Sequence, residues 1–221
     1  MNLSREKLAK MIDHTQIRPN AERKQIIKLC DEAKKYGFCS VAIPPMYVPL
    51  AVECLNGSSV KVGSITGFPF GYNRTEVKIV ETALAVSEGA EEIDMVMNVS
   101  AMKSKDYALV RRDIEGVVRA ARGAIVKVII EACFLTDEEK IEACKIIADA
   151  GANFVKTSTG FAEGGARVED VRLLRQHTPK TMGVKASGGI RDFKTTLAMI
   201  EAGATRIGTS TGPSIIEGCT T

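Results

Sequence analysis

The sequence is poor in the residues that a nucleic-acid-binding surface needs. It contains no Trp, and aromatic residues make up only 5% of its 221 residues. Single-stranded nucleic acids are held by stacking aromatic side chains and by basic grooves. Here 30 basic residues are balanced by 27 acidic ones, which leaves a net charge of +3 with no basic block. We therefore expect no nucleic-acid partner.

Metal-ligating patterns are missing as well. The chain has two histidines, His14 and His177, and neither lies near a pair of cysteines. The six cysteines are scattered and form no C-x-x-C motif. Zinc sites need clustered Cys and His ligands, and scattered thiols are typical of a reducing compartment. We expect no metal site and a cytoplasmic protein.

Long apolar runs are also absent. Charges interrupt the N-terminal stretch "MNLSREKLAKMI", so it does not have the form of a signal peptide. No segment approaches the length of about 20 apolar residues that a transmembrane helix needs, and we expect no membrane partner. With 45% hydrophobic and 26% charged residues, the composition is that of an ordinary globular protein.

What the chain does contain is a regular alternation of β-rich runs and amphipathic segments. Such alternation is typical of βαβ units and a parallel sheet. The pattern predicts strands at 11–14, 38–43, 61–66, 91–97, 125–131, 153–158, 181–186 and 205–209. It predicts helices near 22–36, 75–88, 104–122, 136–150 and 168–176, with one more before the first strand.

The ends of the helices support this division. Thr136 to Glu139 has the form of a capping box, and Gly151 follows the same helix as its stop,. Gly89 and Gly203 end two other helices in the same way. Eight units without a linker favour a closed barrel over a doubly wound sheet. We predict an α/β fold, a (β/α)8 TIM barrel with an extra N-terminal helix, as a single domain over 1–221.

Two lysines and an aspartate occupy unusual positions in these predicted strands. Lys156 lies in "FVKTSTG", Lys185 in "GVKASGGIR" and Asp94 in "EEIDMVMN". Two ammonium groups in a dry site lower each other's pKa, and a neutral amine is a nucleophile toward carbonyl groups. The alternatives are an ion pair that only supports the barrel, or an isomerase that uses Asp94 as its base.

Three loops at neighbouring strand ends are rich in glycine and hydroxyl groups. In barrels of this kind, phosphate binds to the loops after strands seven and eight. The alternative is that these glycines only permit tight turns. The candidate phosphate-binding residues are Thr159, Gly160, Gly188, Gly189, Gly208, Ser210 and Thr211.

Lys127 and Glu131 lie an even number of residues apart in one predicted strand, so they are expected to face the same side. The sequence leaves open whether that side is the barrel interior. We interpret them as a structural ion pair near the site. His14 is either a general base or, as a lone histidine, a core residue with a satisfied partner.

Six stretches in this order resemble the deoxyribose-phosphate aldolase family: "IDHT", "GFPFG", "EEIDMVMN", "KVIIEACFLT", "FVKTSTGF" and "GVKASGGIR". The resemblance implies a class I aldolase on a (β/α)8 barrel, without a cofactor. It implies reversible cleavage of 2-deoxyribose 5-phosphate to glyceraldehyde 3-phosphate and acetaldehyde, and a homodimer or homotetramer. A catalytically silent barrel that binds sugar phosphates is the remaining alternative.

The resemblance also implies roles for single residues. Lys156 resembles the Schiff-base nucleophile, Lys185 the second lysine that lowers its pKa, and Asp94 their acid/base partner. Asp13 and Thr15 match a pair at a strand end that lines the pocket. The phosphate-holding positions correspond to Thr159, Gly160, Gly188, Gly189, Gly208 and Ser210.

The sequence departs from the family pattern at three positions. Where the family often has Cys and Asn in "VCVNP", this chain has Ala42 and Pro44. Pro44 has no side-chain amide, so a hydrogen bond made by the family's Asn is lost or replaced. Where some members have a lysine after "TSTG", this chain has Phe161, which removes one cation from the phosphate site.

Overall fold

The computed structural model describes residues 3–219 as eight parallel strands that close into a barrel. The strands follow one another around the barrel in sequence order, β1 to β8, and β8 pairs with β1. Helices connect successive strands on the outside. This confirms the predicted (β/α)8 fold. The assignment of 1–221 as one domain stays a prediction, and residues 1–2 and 220–221 lie outside the described part.

Each observed strand overlaps its predicted region, and β1 and β7 each extend one residue beyond it. They are Ile12–Thr15 (β1), Ser40–Ile43 (β2), Lys61–Thr66 (β3), Glu92–Val96 (β4), Ile125–Ile129 (β5), Phe154–Lys156 (β6), Gly183–Ser187 (β7) and Arg206–Thr209 (β8). The sixth strand is shorter than predicted, and beyond Lys156 side-chain hydrogen bonds also join Thr157 to β7. The Thr157 hydroxyl donates to the carbonyl of Ser187 and accepts from its N–H.

Ten helices are present in the described residues. They are Arg5–Ala9 (α1), Arg23–Tyr36 (α2), Val48–Leu55 (α3), Thr75–Ser87 (α4), Val99–Lys103 (α5), Tyr107–Ala120 (α6), Asp137–Asp149 (α7), Val168–Gln176 (α8), Phe193–Glu201 (α9) and Gly212–Glu217 (α10). Two short 3-10 turns occur at Pro45–Tyr47 and Ala132–Phe134. The helix α1 confirms the predicted N-terminal addition.

The predicted helix 104–122 is shorter than expected at its start. Lys105 adopts a left-handed conformation with φ of 58°, which a continuous helix does not allow. The side chain of Asp106 then accepts a hydrogen bond from the N–H of Leu109 and caps α6. The short helices α3, α5 and α10 carry too few turns to show a periodic pattern, and the sequence did not predict them.

The predicted helix ends agree with the structure. Thr136 and Glu139 form both hydrogen bonds of a capping box at the start of α7. Gly89, Gly151 and Gly203 follow helix ends with φ values of 108°, 79° and 114°. Side chains other than glycine rarely adopt these values, so glycine fits these stops.

The two faces of the barrel sheet differ in character. Most residues that face the surrounding helices are apolar and buried, among them Ile93, Val126, Val155, Val184 and Ile207. Residues paired across the ladder share a face, and these pairs place charged side chains inside: Asp94 beside Lys127, Lys156 beside Lys185, and Lys185 beside Arg206. Among residues 3–219, no helix is both long and apolar enough to span a bilayer.

Candidate active site

The interior of the barrel contains seven buried charged side chains, which we call the charge cluster. Its acids are Asp13, Glu92 and Asp94, and its bases are Lys127, Lys156, Lys185 and Arg206. Buried charges need opposite charges nearby, because burial removes their hydration. Three carboxylates face four bases, so one base has no carboxylate of its own to balance it.

The inner part of the charge cluster consists of Asp13, Glu92, Lys127 and Arg206, and each of its bases contacts carboxylates. The Lys127 ammonium lies 2.6 Å from Glu92, 2.8 Å from Asp94 and 3.3 Å from Asp13. Burial alone would lower the pKa of Lys127, but these carboxylates outweigh burial and raise it,. The Arg206 guanidinium contacts Asp13 at 2.7 Å and Glu92 at 3.1 Å. Both bases are therefore held in their charged forms.

Asp94 joins the inner part of the cluster to the barrel mouth. Its Oδ2 atom accepts hydrogen bonds at 2.6 Å from both Lys156 and Lys185. The two amine nitrogens are thus no further apart than twice that distance. Burial would raise the pKa of Asp94, but Lys127, Lys156 and Lys185 hold the pKa well below its usual value. Asp94 is accordingly a carboxylate shared by three amines.

Lys156 has a lowered pKa despite its contact with Asp94. Its pKa is lowered to about 8, first because burial removes hydration and then because Lys185 and Lys127 are close, while Asp94 opposes both effects. We predicted from the sequence that a second lysine and a dry site both lower this pKa, and burial is the larger of the two causes. The base in excess is therefore Lys156.

A cavity of about 150 Å³ lies above Lys156 at the barrel mouth, and we call it the reaction cavity. All six predicted phosphate-holding residues line it, as do Thr15 and Lys156: Thr159, Gly160, Gly188, Gly189, Gly208 and Ser210. Asp13, Asp94 and Lys185 lie deeper, in the charge cluster. Asp13 contacts Lys185 at 2.5 Å.

The loops around this cavity present backbone N–H groups. Gly160, Gly188 and Gly189 have φ values of 82°, 90° and 80°, which turn successive N–H groups outward. None of residues 3–219 accepts a hydrogen bond from the N–H groups of these three glycines or of Ser210. Thr211 has a different role, because its hydroxyl donates to the carbonyl of Arg191 and links the two loops.

Two arginines that the sequence did not single out also line the cavity. Arg18 follows β1, and Arg191 follows the glycine pair after β7. The Arg18 guanidinium lies 5.8 Å from the centre of the Phe161 ring. Phe161 stands where some family members have a lysine, and the Arg18 guanidinium supplies a cation next to this position. Glycine-rich N–H groups together with two arginines suit an anionic group.

The predicted ion pair between Lys127 and Glu131 is wrong. Lys127 faces the barrel interior and contacts other carboxylates. Glu131 lies after β5 ends, and its φ of 48° breaks the alternation of the strand. Its carboxylate instead accepts hydrogen bonds from the N–H and hydroxyl of Thr159.

His14 lies behind the barrel wall and is almost fully buried. Its Nε2 atom lies 2.8 Å from the carboxylate of Glu32 on α2. Burial lowers the pKa of His14, and Glu32 opposes this shift. His14 is therefore a core residue with a partner, as the simpler of the two interpretations expected.

Comparison with known proteins agrees with this geometry. The model of the DeoC/LacD family aldolases matches residues 7–217. The chain belongs to the DeoC/LacD aldolase family. A deoxyribose-phosphate aldolase of Streptococcus sanguinis is 57% identical over 212 residues, which cover 96% of both chains. One from Thermococcus gammatolerans is 57% identical over 215 residues, again covering 96% of each chain.

Solved structures agree as well. The tetrameric deoxyribose phosphate aldolase of Aeropyrum pernix superposes with a TM-score of 0.91 at 37% identity, covering 97% of this chain and 91% of that one. The family membership makes this chain an aldolase. The question that remains for its own residues is which amine reacts and what the cavity holds.

Proposed function

We propose that this aldolase reversibly cleaves 2-deoxy-D-ribose 5-phosphate to D-glyceraldehyde 3-phosphate and acetaldehyde through a Schiff base on Lys156. The observation that carries the proposal is the position of Lys156. It lines the reaction cavity, and its pKa is lowered to about 8. A lysine with this pKa is partly neutral near pH 7, and the neutral amine is the form that attacks carbonyl groups.

The first steps use this amine directly. Lys156 attacks the aldehyde carbon of the open-chain sugar, and loss of water from the resulting carbinolamine gives an iminium. The iminium nitrogen carries the positive charge that the protonated lysine would carry. The iminium nitrogen lies next to the Asp94 carboxyl group, which stays ionised because its pKa is low. The carboxylate thereby stabilises the charged intermediate.

Breaking the C2–C3 bond requires removal of a proton from the C3 hydroxyl. Asp94 Oδ2 accepts from Lys156 and Lys185 together in the free enzyme. Formation of the iminium removes hydrogen atoms from the Lys156 nitrogen, so the Asp94–Lys185 pair gains acceptor capacity beside the substrate. We assign proton removal to this pair. The electrons of the broken bond move into the iminium, and glyceraldehyde 3-phosphate leaves.

The remaining enamine takes up a proton, and water then releases acetaldehyde and restores the amine. During these steps the glycine loops after β6, β7 and β8 hold the phosphate, which is remote from the bonds that change. Binding energy at a remote phosphate orients the reacting carbon over the nucleophile. This division matches the reaction cavity, which has the amine beneath and N–H groups and arginines around it.

We further propose that the enzyme acts in deoxyribonucleotide catabolism in the cytoplasm as a homodimer or homotetramer. Self-association is supported by an apolar stripe on α4, where Val77, Val80 and Leu84 are 50%, 57% and 57% exposed. These positions lie on one face of the helix. Sedimentation velocity tests this point, since a monomer at micromolar concentration contradicts it.

Borohydride reduction in the presence of acetaldehyde tests the main proposal. We expect a stable adduct on the peptide that contains Lys156, detected by mass spectrometry, together with loss of activity. An isomerase with Asp94 as its base would form no adduct and would tolerate a Lys156→Ala change. A silent barrel would bind sugar phosphates without an adduct or turnover.

A further inference from the structure

Glu131 is a buried carboxylate at the barrel mouth, and the proposed mechanism gives it no role. It is only 3% exposed. Burial raises the pKa of its carboxyl group, whereas the contacts with Thr159 and the charge of Lys156 lower it. The Lys156 ammonium pairs with Asp94 instead. Burying a carboxylate without a paired cation costs free energy, so its hydrogen-bond partners indicate what Glu131 does.

The carboxylate of Glu131 holds the start of the loop after β6. It accepts hydrogen bonds from the N–H of Thr159 at 3.2 Å and from the Thr159 hydroxyl. The same hydroxyl accepts a hydrogen bond from the N–H of Phe161 at 3.0 Å. Gly160 lies between these two residues with a φ of 82° and lines the reaction cavity. The chain of hydrogen bonds therefore fixes both neighbours of Gly160.

The turn after β5 supports this loop at two further points. The N–H of Ala132 donates to the carbonyl of Thr157 at 2.9 Å. Cys133 packs so closely that a Cβ atom on Gly164 would lie 2.5 Å from the Cβ of Cys133. A close-packed contact of this kind leaves no room for the loop to move toward β5. Glu131 is thus the first of three successive residues that hold the loop.

The backbone of Glu131 adopts an unfavourable conformation. Its φ of 48° lies in the left-handed region, which costs free energy for a residue that has a Cβ atom. The carboxylate reaches Thr159 in this conformation. Backbone strain persists where the surrounding contacts favour it, and it is frequent at functional sites. The strain at Glu131 is therefore matched by its contact with the loop.

We propose that Glu131 is a positioning residue for the phosphate group of the substrate. Its carboxylate fixes Thr159, and Thr159 holds the N–H group of Gly160 toward the reaction cavity. This inference rests on the proposed function, which assigns the phosphate to that cavity. Binding energy at the remote phosphate orients the reacting carbon. Loss of the Glu131 carboxylate should therefore weaken binding of the phosphorylated sugar and leave the chemistry of the amine intact.

The test compares 2-deoxyribose 5-phosphate with unphosphorylated 2-deoxyribose as substrates. Glu131→Ala should raise KM for the phosphorylated sugar about ten- to thirtyfold, because hydrogen bonds to a charged group are weakened. It should lower kcat by less than about threefold, and kcat/KM for the unphosphorylated sugar by less than about threefold. Glu131→Gln keeps an oxygen that accepts from the Thr159 N–H, so it should restore KM to within about threefold of the wild type.

Glu131→Gly separates positioning from support of the fold. Glycine adopts a left-handed φ without strain, and the variant removes a carboxylate whose ionised form burial disfavours. We expect a urea midpoint no lower than that of the wild type, together with the raised KM of Glu131→Ala. Thr159→Val should raise the same KM. Combined with Glu131→Ala it should add little, because both changes break one chain of hydrogen bonds.

Borohydride trapping with acetaldehyde is run on every variant, since acetaldehyde carries no phosphate and should label Lys156 in all of them. A wild type that neither cleaves the sugar phosphate nor forms the adduct would overturn the proposed function, and this inference with it. When the wild type is active, two results overturn the positioning role alone. One is an equal loss of kcat/KM for both sugars in Glu131→Ala. The other is a lowered urea midpoint of Glu131→Gly with KM unchanged.

Discussion

Lys127 and Lys156 lie on the adjacent strands β5 and β6, and both are buried inside the same barrel. The ammonium of Lys127 lies within 3.3 Å of three carboxylates, whereas that of Lys156 contacts only Asp94 among the carboxylates of residues 3–219. Their pKa values move in opposite directions: that of Lys127 rises, and that of Lys156 falls to about 8. Burial acts on both, so the number of carboxylate partners makes the difference.

The comparison shows how one barrel separates support from chemistry. The inner part of the charge cluster pairs every charge and fixes Lys127 as a cation. The cluster contains one base more than it contains carboxylates. The excess base is Lys156, which lies at the barrel mouth and lines the reaction cavity. A reactive amine near neutral pH thus follows from an uneven distribution of carboxylates along the barrel axis.

The largest effect is expected from Lys156→Met. If this amine forms the Schiff base, kcat should fall on the order of 10⁴-fold or more, because covalent catalysis is lost entirely. Steady-state cleavage of 2-deoxyribose 5-phosphate measures the change, and circular dichroism checks that the variant is folded. A folded variant within tenfold of the wild type would contradict the role of Lys156.

Asp94→Asn should lower kcat by about 10²- to 10⁴-fold, since it removes a proton acceptor and a stabilising charge. It should also move the pKa of Lys156 further down, because the Asp94 carboxylate raises it. The pH dependence of kcat/KM reports this value for the free enzyme. An acidic limb that moves to higher pH would contradict the arrangement of the cluster.

The free energy of unfolding should depend more on Lys127 than on Lys156, which is the reverse of the order expected for activity. Lys127→Met leaves Glu92, Asp94 and Asp13 short of a cation, and the free energy of unfolding should fall by about 3 to 5 kcal/mol. Lys156→Met removes a base whose charged form is disfavoured by burial, so the free energy of unfolding should not fall at pH 7. Urea titrations of both variants make the comparison. Equal losses would show that Lys156 is a paired structural charge.

The pH dependence of activity follows from the lowered pKa of Lys156. Below pH 8 the amine is mostly protonated, so kcat/KM should rise about tenfold per pH unit and then level off above a pKa of about 8,. The folded pKa lies below the ordinary 10.5, so the burial cost is complete below pH 8 and disappears as pH rises to 10.5. The stability of the wild type relative to Lys156→Met should therefore increase across this window.

The smallest effect is expected from Phe161→Lys. It returns a cation to the loop after β6, so KM for 2-deoxyribose 5-phosphate should fall about three- to tenfold at low salt. Unphosphorylated 2-deoxyribose serves as the control and should not benefit. An equal improvement for both sugars would show that the loop does not contact the phosphate.

Much of the barrel was predictable because each helix end carries its own signal, such as the capping box at Thr136. The positions of Lys156, Lys185 and Asp94 followed from charged residues in apolar strands. Glu92 and Arg206 were missed, although a period of two places them on the same faces as Asp94 and Gly208. That signal could have predicted the inner part of the cluster.

Other features required the folded chain. Alternation was expected to keep Glu131 on the side of Lys127, but the left-handed φ at Glu131 turns it toward Thr159. A single sequence contains no pattern that predicts a left-handed conformation at a glutamate. The sequence also could not show that Arg18 lies over the Phe161 ring, because that contact joins the loop after β1 to the loop after β6, more than 140 residues later in the chain.

The most direct measurement is an NMR titration of the lysine side chains in the free enzyme, with Lys156 assigned by the signal that is missing from Lys156→Met. We expect this signal to titrate with a pKa of about 8, while Lys127 stays protonated throughout the accessible range. A Lys156 signal that titrates at or above the ordinary lysine pKa of 10.5 would contradict the account.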